Sequence, residues 1–204
     1  MDYLYVSAIA VTDEKGETIF LCGVDTCTLN NDLFPQLIFP YVAENLGIPE
    51  DRLFATATHT HSGVDIGYHS SEAAVQKVVD DMKEGMLKAC KEAVSDRAPA
   101  EVYWAEADLS GYNFVRHYLL KNGEYVGDNF GDDNGDYAGH SAKENPMMQL
   151  VDFKREGKKD VIFGTWRAHA TITGGSDVCN ISADLAGSIR TYLEKQSECY
   201  FTYF

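Results

Sequence analysis

Two histidines one residue apart, His59 and His61, lie in Ala57-Thr58-His59-Thr60-His61-Ser62-Gly63, after an apolar run and before a glycine. Residues i and i+2 of a strand project from the same face, so both imidazoles can point into one space. Neutral imidazole is the commonest metal ligand, and zinc is the first metal such a pair suggests. Two hydrogen-bonded histidines at a strand end would have the same spacing, so the pair alone leaves both readings open. A third histidine, His169, follows another apolar run in Trp166-Arg167-Ala168-His169-Ala170-Thr171 and precedes a Gly-rich turn. Catalytic zinc centres draw ligands from different elements of a rigid sheet, and one pair plus one distant histidine fits that pattern. The alternative for His169 is a histidine in a polar loop.

The surrounding elements follow from periodicity. Tyr3 to Val11 and Thr18 to Val24 are β-rich runs around the turn-forming Asp13-Glu14-Lys15-Gly16-Glu17, which predicts an antiparallel hairpin. Asn31 to Leu46 has helical periodicity interrupted by Pro35 and Pro40, and Gly47 ends it. Leu53 to Thr58 returns to strand, placing His59 at that strand's C-terminal end. A long helix capped by Ser70 or Ser71 and running to about Val94 carries Ala74, Val78, Met82, Met86 and Ala89 as its apolar stripe. Ala100 to Leu109 reads as a strand, and Phe114 to Val126 as a hairpin with a type I′ turn at Asn122-Gly123. Gly127 to His140 reads as irregular, Met147 to Phe153 and Val161 to Trp166 as strands, Ser182 to Gln196 as a helix, and Cys199 to Phe204 as a closing β run. The order predicts α/β or mixed α+β layers, with mixed, largely antiparallel sheets and packed helices. It is not a TIM barrel, since strands and helices do not alternate through eight units.

The chain has 204 residues, 45% of them hydrophobic, enough for one folded domain with a substantial core. Lys+Arg of 17 against Asp+Glu of 32 gives a net charge of -15, which argues against nucleic acid or an anionic membrane surface as a partner. No apolar run approaches the length of a membrane span, and Met1-Asp2-Tyr3 has no basic leader. The five cysteines, Cys22, Cys27, Cys90, Cys179 and Cys199, are scattered and read as reduced, mostly buried thiols. Core packing is preferred over chelation for Cys22 and Cys27, and the expected location is the cytoplasm. The sequon Asn180-Ile181-Ser182 carries little weight without a leader. Asp128, Asp132, Asp133 and Asp136 form an acidic loop, but Tyr137 falls where an EF-hand requires glycine, so a solvated loop is expected. His69, His117 and His140 read as surface or hydrogen-bonded histidines.

Four motifs occur together in one order: Ala57 to Gly63, Asn113-Phe114-Val115-Arg116, the strand leading to His169, and Asn180-Ile181-Ser182-Ala183-Asp184-Leu185-Ala186-Gly187. In this they resemble the N-terminal catalytic region of neutral/alkaline non-lysosomal ceramidases, zinc-dependent amidases that cleave the N-acyl bond of ceramide. The resemblance covers most of the chain from about Tyr3. It implies that His59 and His169 are zinc ligands, that His61 lies beside the metal-bound water, and that Arg116 hydrogen-bonds the scissile carbonyl. Asp184 would be a neighbouring site residue. Zinc chemistry suits these residue types: the metal supplies a nucleophile at neutral pH, an arginine stabilises the oxyanion, and an imidazole moves the proton to the leaving amine. Without the resemblance, Arg116 would read equally as a solvated hairpin arginine, and Asp184 as negative charge at a helix N-terminus.

The family departs from this chain in two places. Val64-Asp65-Ile66 stands where many members have Pro-Gly-Gly, and the remaining ligands, a glutamate and a tyrosine, would lie beyond Phe204. The chain is therefore expected to be a single ceramidase-like N-terminal domain over 1–204, a fragment of a larger protein. The expected activity is zinc-dependent cleavage of a C–N amide bond in a small or lipid-like substrate, with a homo-oligomer as a possible assembly. The competing class is a non-catalytic acidic binding domain with an incomplete metal site.

Overall fold

The computed structural model describes residues 3–30, 32–63, 72–127, 136–173 and 181–204. Five of the sequence expectations, namely the helix cap at Ser70 or Ser71, His69, the aspartates 128, 132 and 133, the thiol of Cys179 and the sequon at Asn180, fall outside those residues.

Strands β1 (Val6–Thr12) and β2 (Thr18–Val24) form the expected hairpin, in antiparallel register from Val6 opposite Val24 to Thr12 opposite Thr18. Its turn is fixed by Asp13, whose Oδ1 accepts the amides of Lys15 (2.9 Å) and Glu17 (2.8 Å), and by Gly16 at φ 85. Pro35 and Pro40 shape the helical segment after the hairpin. Phe34–Ile38 is a single wide turn in which the Phe39 amide reaches back five residues to Phe34 O, and α1 (Phe39–Leu46) continues from it. Pro40 has no N–H to donate, so the wide turn falls where a regular helix would lack a bond. Gly47, at φ 68, ends α1: its amide bonds Glu44 O and the Ile48 amide bonds Ala43 O, the paired closure a left-handed residue permits.

Strand β3 (Leu53–Ala57) lies parallel to β2, with Val24 opposite Ala57, giving the sheet order β1-β2-β3. Helix α2 (Glu72–Ser95) packs on β1 and α1. Its inward stripe differs from the expected one. Ala74 is exposed and Val78 half-buried, whereas Val75, Val79, Met82, Met86 and Cys90 line the covered face with Leu87 beside it. These join Phe20, Cys22 and Val24 of β2, every second residue, with Ile38, Val42 and Leu53 in one apolar core.

A second sheet has the order β10-β9-β8-β4, from β4 (Ala100–Asp108), β8 (Met147–Arg155), β9 (Asp160–Thr165) and β10 (Cys199–Tyr203). Strand β10 runs parallel to β9 and follows α3 (Asp184–Gln196). Opposite the core, β2 meets β10 closely: a Cβ on Gly23 would stand 2.8 Å from Thr202 Cγ2 and 2.9 Å from Tyr203 O. A third sheet, β6-β5-β7, is built from β5 (His117–Leu120), β6 (Tyr125–Gly127) and β7 (Tyr137–His140). Two expectations are corrected here. The Asn122-Gly123 turn is not type I′, because Gly123 (φ 86) has positive φ and Asn122 does not. It is a type I turn closed by a left-handed glycine, with Gly123 N bonding Leu120 O. Residues 137–140, read as irregular, form β7, paired with β5 across an irregularity at Leu119/Leu120.

These elements make a mixed α+β chain with open sheets, as the order of elements predicted, and no closed barrel is found among the described residues. They divide into two compact units, one of residues 1–103, 151–164 and 169–204, the other of residues 104–150 and 165–168. Within the second, Asn113 Nδ2 donates to Asn145 O and Arg167 O (both 2.9 Å), Trp166 Nε1 donates to Pro146 O (3.1 Å), and His140 Nδ1 bonds Val115 O (2.9 Å). His117 stacks on Tyr125 at 5.4 Å. No helix among the described residues is long and apolar enough to cross a membrane.

Candidate metal centre

Because β2 and β3 are parallel and in register, the segments leaving their carboxyl ends emerge side by side, the usual location of sites on parallel strands. Asp25–Cys27 leaves β2 and Thr58–Ser62 leaves β3. His59 and His61 therefore lie beyond β3, not on it. Their convergence comes from a backbone reversal: His59 sits at φ 60, a left-handed conformation that costs a non-glycine residue on the order of 1 kcal/mol or more. Strand alternation, the basis of the sequence expectation, is not what aims them together.

Surrounding bonds hold this strained loop. Thr60 is fully buried and its hydroxyl donates to Ser182 O (2.7 Å). The Thr58 amide bonds Val24 O (3.0 Å), the His61 amide bonds Ala170 O (3.2 Å), and the Ser182 amide bonds Ser62 O (2.9 Å). His169, far away in sequence, is thereby drawn to the pair. Ring centroids are 4.8 Å apart for His59 and His61, 5.0 Å for His59 and His169, and 4.7 Å for His61 and His169.

The nitrogens are oriented. His59 Nδ1 lies 2.6 Å from Cys27 O, and a carbonyl only accepts, so Nδ1 carries the proton and Nε2 presents a lone pair. That Nε2 is 3.3 Å from His61 Nε2. His169 Nδ1 is 3.0 Å from Thr171 Oγ1. Two nitrogens bound at zinc's usual distance on a tetrahedral ion stand ~3.3 Å apart, and their rings ~5 Å apart. The His59–His61 nitrogen separation and the three ring separations are of that size. Cys27 joins them: one ligand atom each of Cys27, His59 and His61 lies within 4.8 Å of the others. Imidazole and thiolate donors suit zinc and fit magnesium or calcium poorly.

Asp184 stands beside the histidines in a supporting role. It is 1% exposed and, like His59, left-handed at φ 52. Its carboxylate accepts from Ile172 N (3.1 Å), Thr173 N (2.8 Å), Thr173 Oγ1 (2.7 Å) and Leu185 N (2.6 Å), tying the segment after His169 to the start of α3. Burial alone would push this carboxyl up; the donors, led by Thr173, outweigh it and hold the pKa below the usual aspartate value. Arg116 is half-buried in the second unit.

Sequence reasoning missed Asp25 and Arg190. Arg190 Nη2 donates to Asp25 Oδ2 at 2.8 Å, with side chains 10% and 1% exposed, and its guanidinium lies 4.6 Å from the centre of the Tyr5 ring. Asp25 Oδ2 also accepts the Tyr5 amide (2.9 Å). This buried pair fixes the turn carrying Cys27, and nothing in the spacing of two residues so distant could have signalled it. A cavity of about 1030 Å³ elsewhere in the first unit, between β1, the end of α2 and β10, is lined by none of the candidate ligands.

Comparison with protein-family models gives no match, and comparison with curated protein sequences gives none. Solved structures do match. A ceramidase complexed with C2 aligns at a TM-score of 0.68 and 15% identity over 95% of this chain and 30% of its own. A neutral ceramidase from Pseudomonas aeruginosa aligns at 0.67 and 15% identity over 95% of this chain and 31% of its own. The chain thus spans about 30% of the length of the structures it matches. The likeness is one of fold, and that fold is ceramidase-like.

Proposed function

We propose that this chain carries the metal site of a hydrolase that cleaves a C–N amide bond in a lipid-like substrate, with zinc as the metal. The observation that carries the reading is the triangle of imidazoles, His59, His61 and His169, with ring centroids no more than 5.0 Å apart and the His59 lone pair turned inward. The ceramidase-like fold supports the choice of an N-acyl amide as substrate. His59 and His169 are the proposed ligands. Bound there, zinc supplies Lewis acidity, which makes water nucleophilic near neutral pH and polarises an amide carbonyl.

The chain's own residues do the rest. His61 Nε2 takes the proton of the attacking water and passes it to the amine nitrogen, a poor leaving group until protonated. Asp184 positions the segment that follows His169. Arg116 is assigned the oxyanion on the resemblance alone.

The test is metal analysis of the purified chain together with hydrolysis of a short-acyl ceramide. Stoichiometric zinc is expected, lost in His59→Ala and His169→Ala. His61→Ala is expected to keep zinc and lose roughly 10²–10⁴ in rate. Absence of stoichiometric zinc overturns the reading. Zinc without turnover of any N-acyl amide returns the chain to the class of acidic binding domains.

A further inference from the structure

We infer that the free edge of β1 is a docking slot for an extended peptide strand with apolar side chains on both faces, an interaction surface separate from the metal centre and independent of the reading given to it.

The hydrogen-bond parity of the β1–β2 hairpin shows which groups are free. Asp25 N bonds Tyr5 O (2.9 Å) at one end of the hairpin, and Asp13 N bonds Glu17 O (3.0 Å) at the other. The hydrogen-bonded pairs are therefore those of the odd-numbered residues, with Ser7 opposite Gly23, Ile9 opposite Leu21 and Val11 opposite Ile19. The amides and carbonyls of Val6, Ala8 and Ala10 point the other way, out of the sheet. Strand β1 is the end strand of that sheet, and those groups have no partner among the described residues. Strands left open in this way commonly carry a charge, a proline or a bulge that blocks pairing. Val6–Thr12 reads Val-Ser-Ala-Ile-Ala-Val-Thr, which has neither charge nor proline, and its register against β2 is unbroken.

This edge opens into a walled space. The cavity of about 1030 Å³ touches every residue from Tyr5 to Thr12, whichever face of the sheet its side chain takes, and so runs along the strand's edge. One wall is α2, which presents the small side chains of Ala89 and Ala93. The other is the second sheet, with Phe153, Val161 and Val102, the last 63% exposed. A strand added ~4.8 Å beyond β1 alternates its side chains between these two apolar walls, so both of its faces must be apolar. Main-chain bonds give such docking its affinity and the walls its selectivity.

The Thr12 end of the slot also selects. Arg155 is buried, its Nη1 holds Asp96 (2.8 Å), and its Nη2 has no hydrogen-bond partner. Arg97 donates to Thr12 Oγ1 and brings a second cation. The carboxylates on the cavity wall have partners: Glu92 in Lys88 (3.8 Å), Asp96 in Arg155 and Lys158, Glu194 in the Phe201 amide (3.0 Å). An acidic residue at this end of the incoming strand supplies the acceptor that Arg155 lacks.

The probe is a capped peptide of alternating valine and isoleucine, as long as β1, with one terminal glutamate and a polyethylene glycol tail for solubility. Amide hydrogen exchange followed by NMR on the full chain reads the edge. In the chain alone, the amides of Ser7, Ile9 and Val11 should exchange slowly and those of Val6, Ala8 and Ala10 fast; the peptide is expected to slow the second set by roughly tenfold or more. Val102→Lys, at an exposed position, puts a charge on the slot wall and is expected to weaken peptide binding roughly tenfold with an unchanged circular dichroism spectrum. Slow exchange of Val6, Ala8 and Ala10 in the chain alone, as monomer or dimer, overturns the inference. So does a peptide that leaves these amides fast, or one whose binding Val102→Lys does not change. Dodecanoate that binds in competition with the peptide and protects no edge amide, where the peptide protects none either, makes the slot a lipid pocket and overturns it too.

Discussion

Replacing Arg190 with Met tests whether the metal-bearing turn depends on a buried charge pair. The substitution keeps most of the side-chain volume and removes the guanidinium from Asp25, whose side chain is 1% exposed. Asp25 then keeps the Tyr5 amide but has no counter-charge. Removing one partner of a buried pair typically costs ~3–5 kcal/mol, because a charge is left desolvated. Loss of the guanidinium over Tyr5, a half-exposed ring, adds ~0.5–1 kcal/mol. A total of ~5 kcal/mol is a large part of the ~5–15 kcal/mol that holds a domain together. At ~2–4 °C per kcal/mol for a chain of this size, the midpoint should fall by roughly 10–20 °C. Calorimetry and urea unfolding followed by circular dichroism measure both quantities. Asp25→Asn combined with Arg190→Met should be less damaging than the sum of the two single changes, since the stranded charge is gone. A loss below ~1 kcal/mol in Arg190→Met, or strict additivity in the double variant, refutes the reasoning.

Three further outcomes rest on contacts already described. Asp184→Asn should cost ~1.5–3 kcal/mol at neutral pH, the worth of charge-assisted bonds to Thr173 and its neighbours. The native pKa lies below the unfolded value of ~3.9, so this stabilisation is present above that value and disappears as pH falls through the native one; unfolding curves of the two proteins should converge in acid. Gly23→Ala puts a methyl group 2.9 Å from the Tyr203 carbonyl, which cannot rotate away, and should cost ~1–3 kcal/mol in urea unfolding; a loss under ~0.5 kcal/mol contradicts the close approach of β2 and β10. Gly85→Ala in α2 sets its new carbon 3.6 Å from Val6 Cγ2, ordinary contact, and should gain ~0.5–1 kcal/mol in the same assay, so a destabilised variant counts against the helix packing.

What could be read ahead of the structure was local. The β1–β2 hairpin needs only alternation and the Asp13-to-Gly16 turn, and the end of α1 needs only Gly47. The histidines were legible as residue types, but the device that joins them was not, because a left-handed His59 depends on bonds from Thr60 and His61 to residues more than a hundred positions away. Cys22 and Cys27 look alike in sequence; only the end of β2 at Val24 puts one in the core and the other beside imidazoles. Strand β7 was hidden by its glycine and by the acidic stretch before it, since its pairing with β5 is a tertiary contact that composition does not report. The helix stripe was misplaced by about a residue, as happens when alanines satisfy two neighbouring faces equally.

Three site segments cross-bond one another through amides that belong to no helix or sheet: His61 to Ala170, Ser182 to Ser62, and Thr173 to Asp184. None can open without disturbing the others. In hydrogen exchange these loop amides should therefore share a single opening free energy, protected more like core strands than like the turns in which they lie.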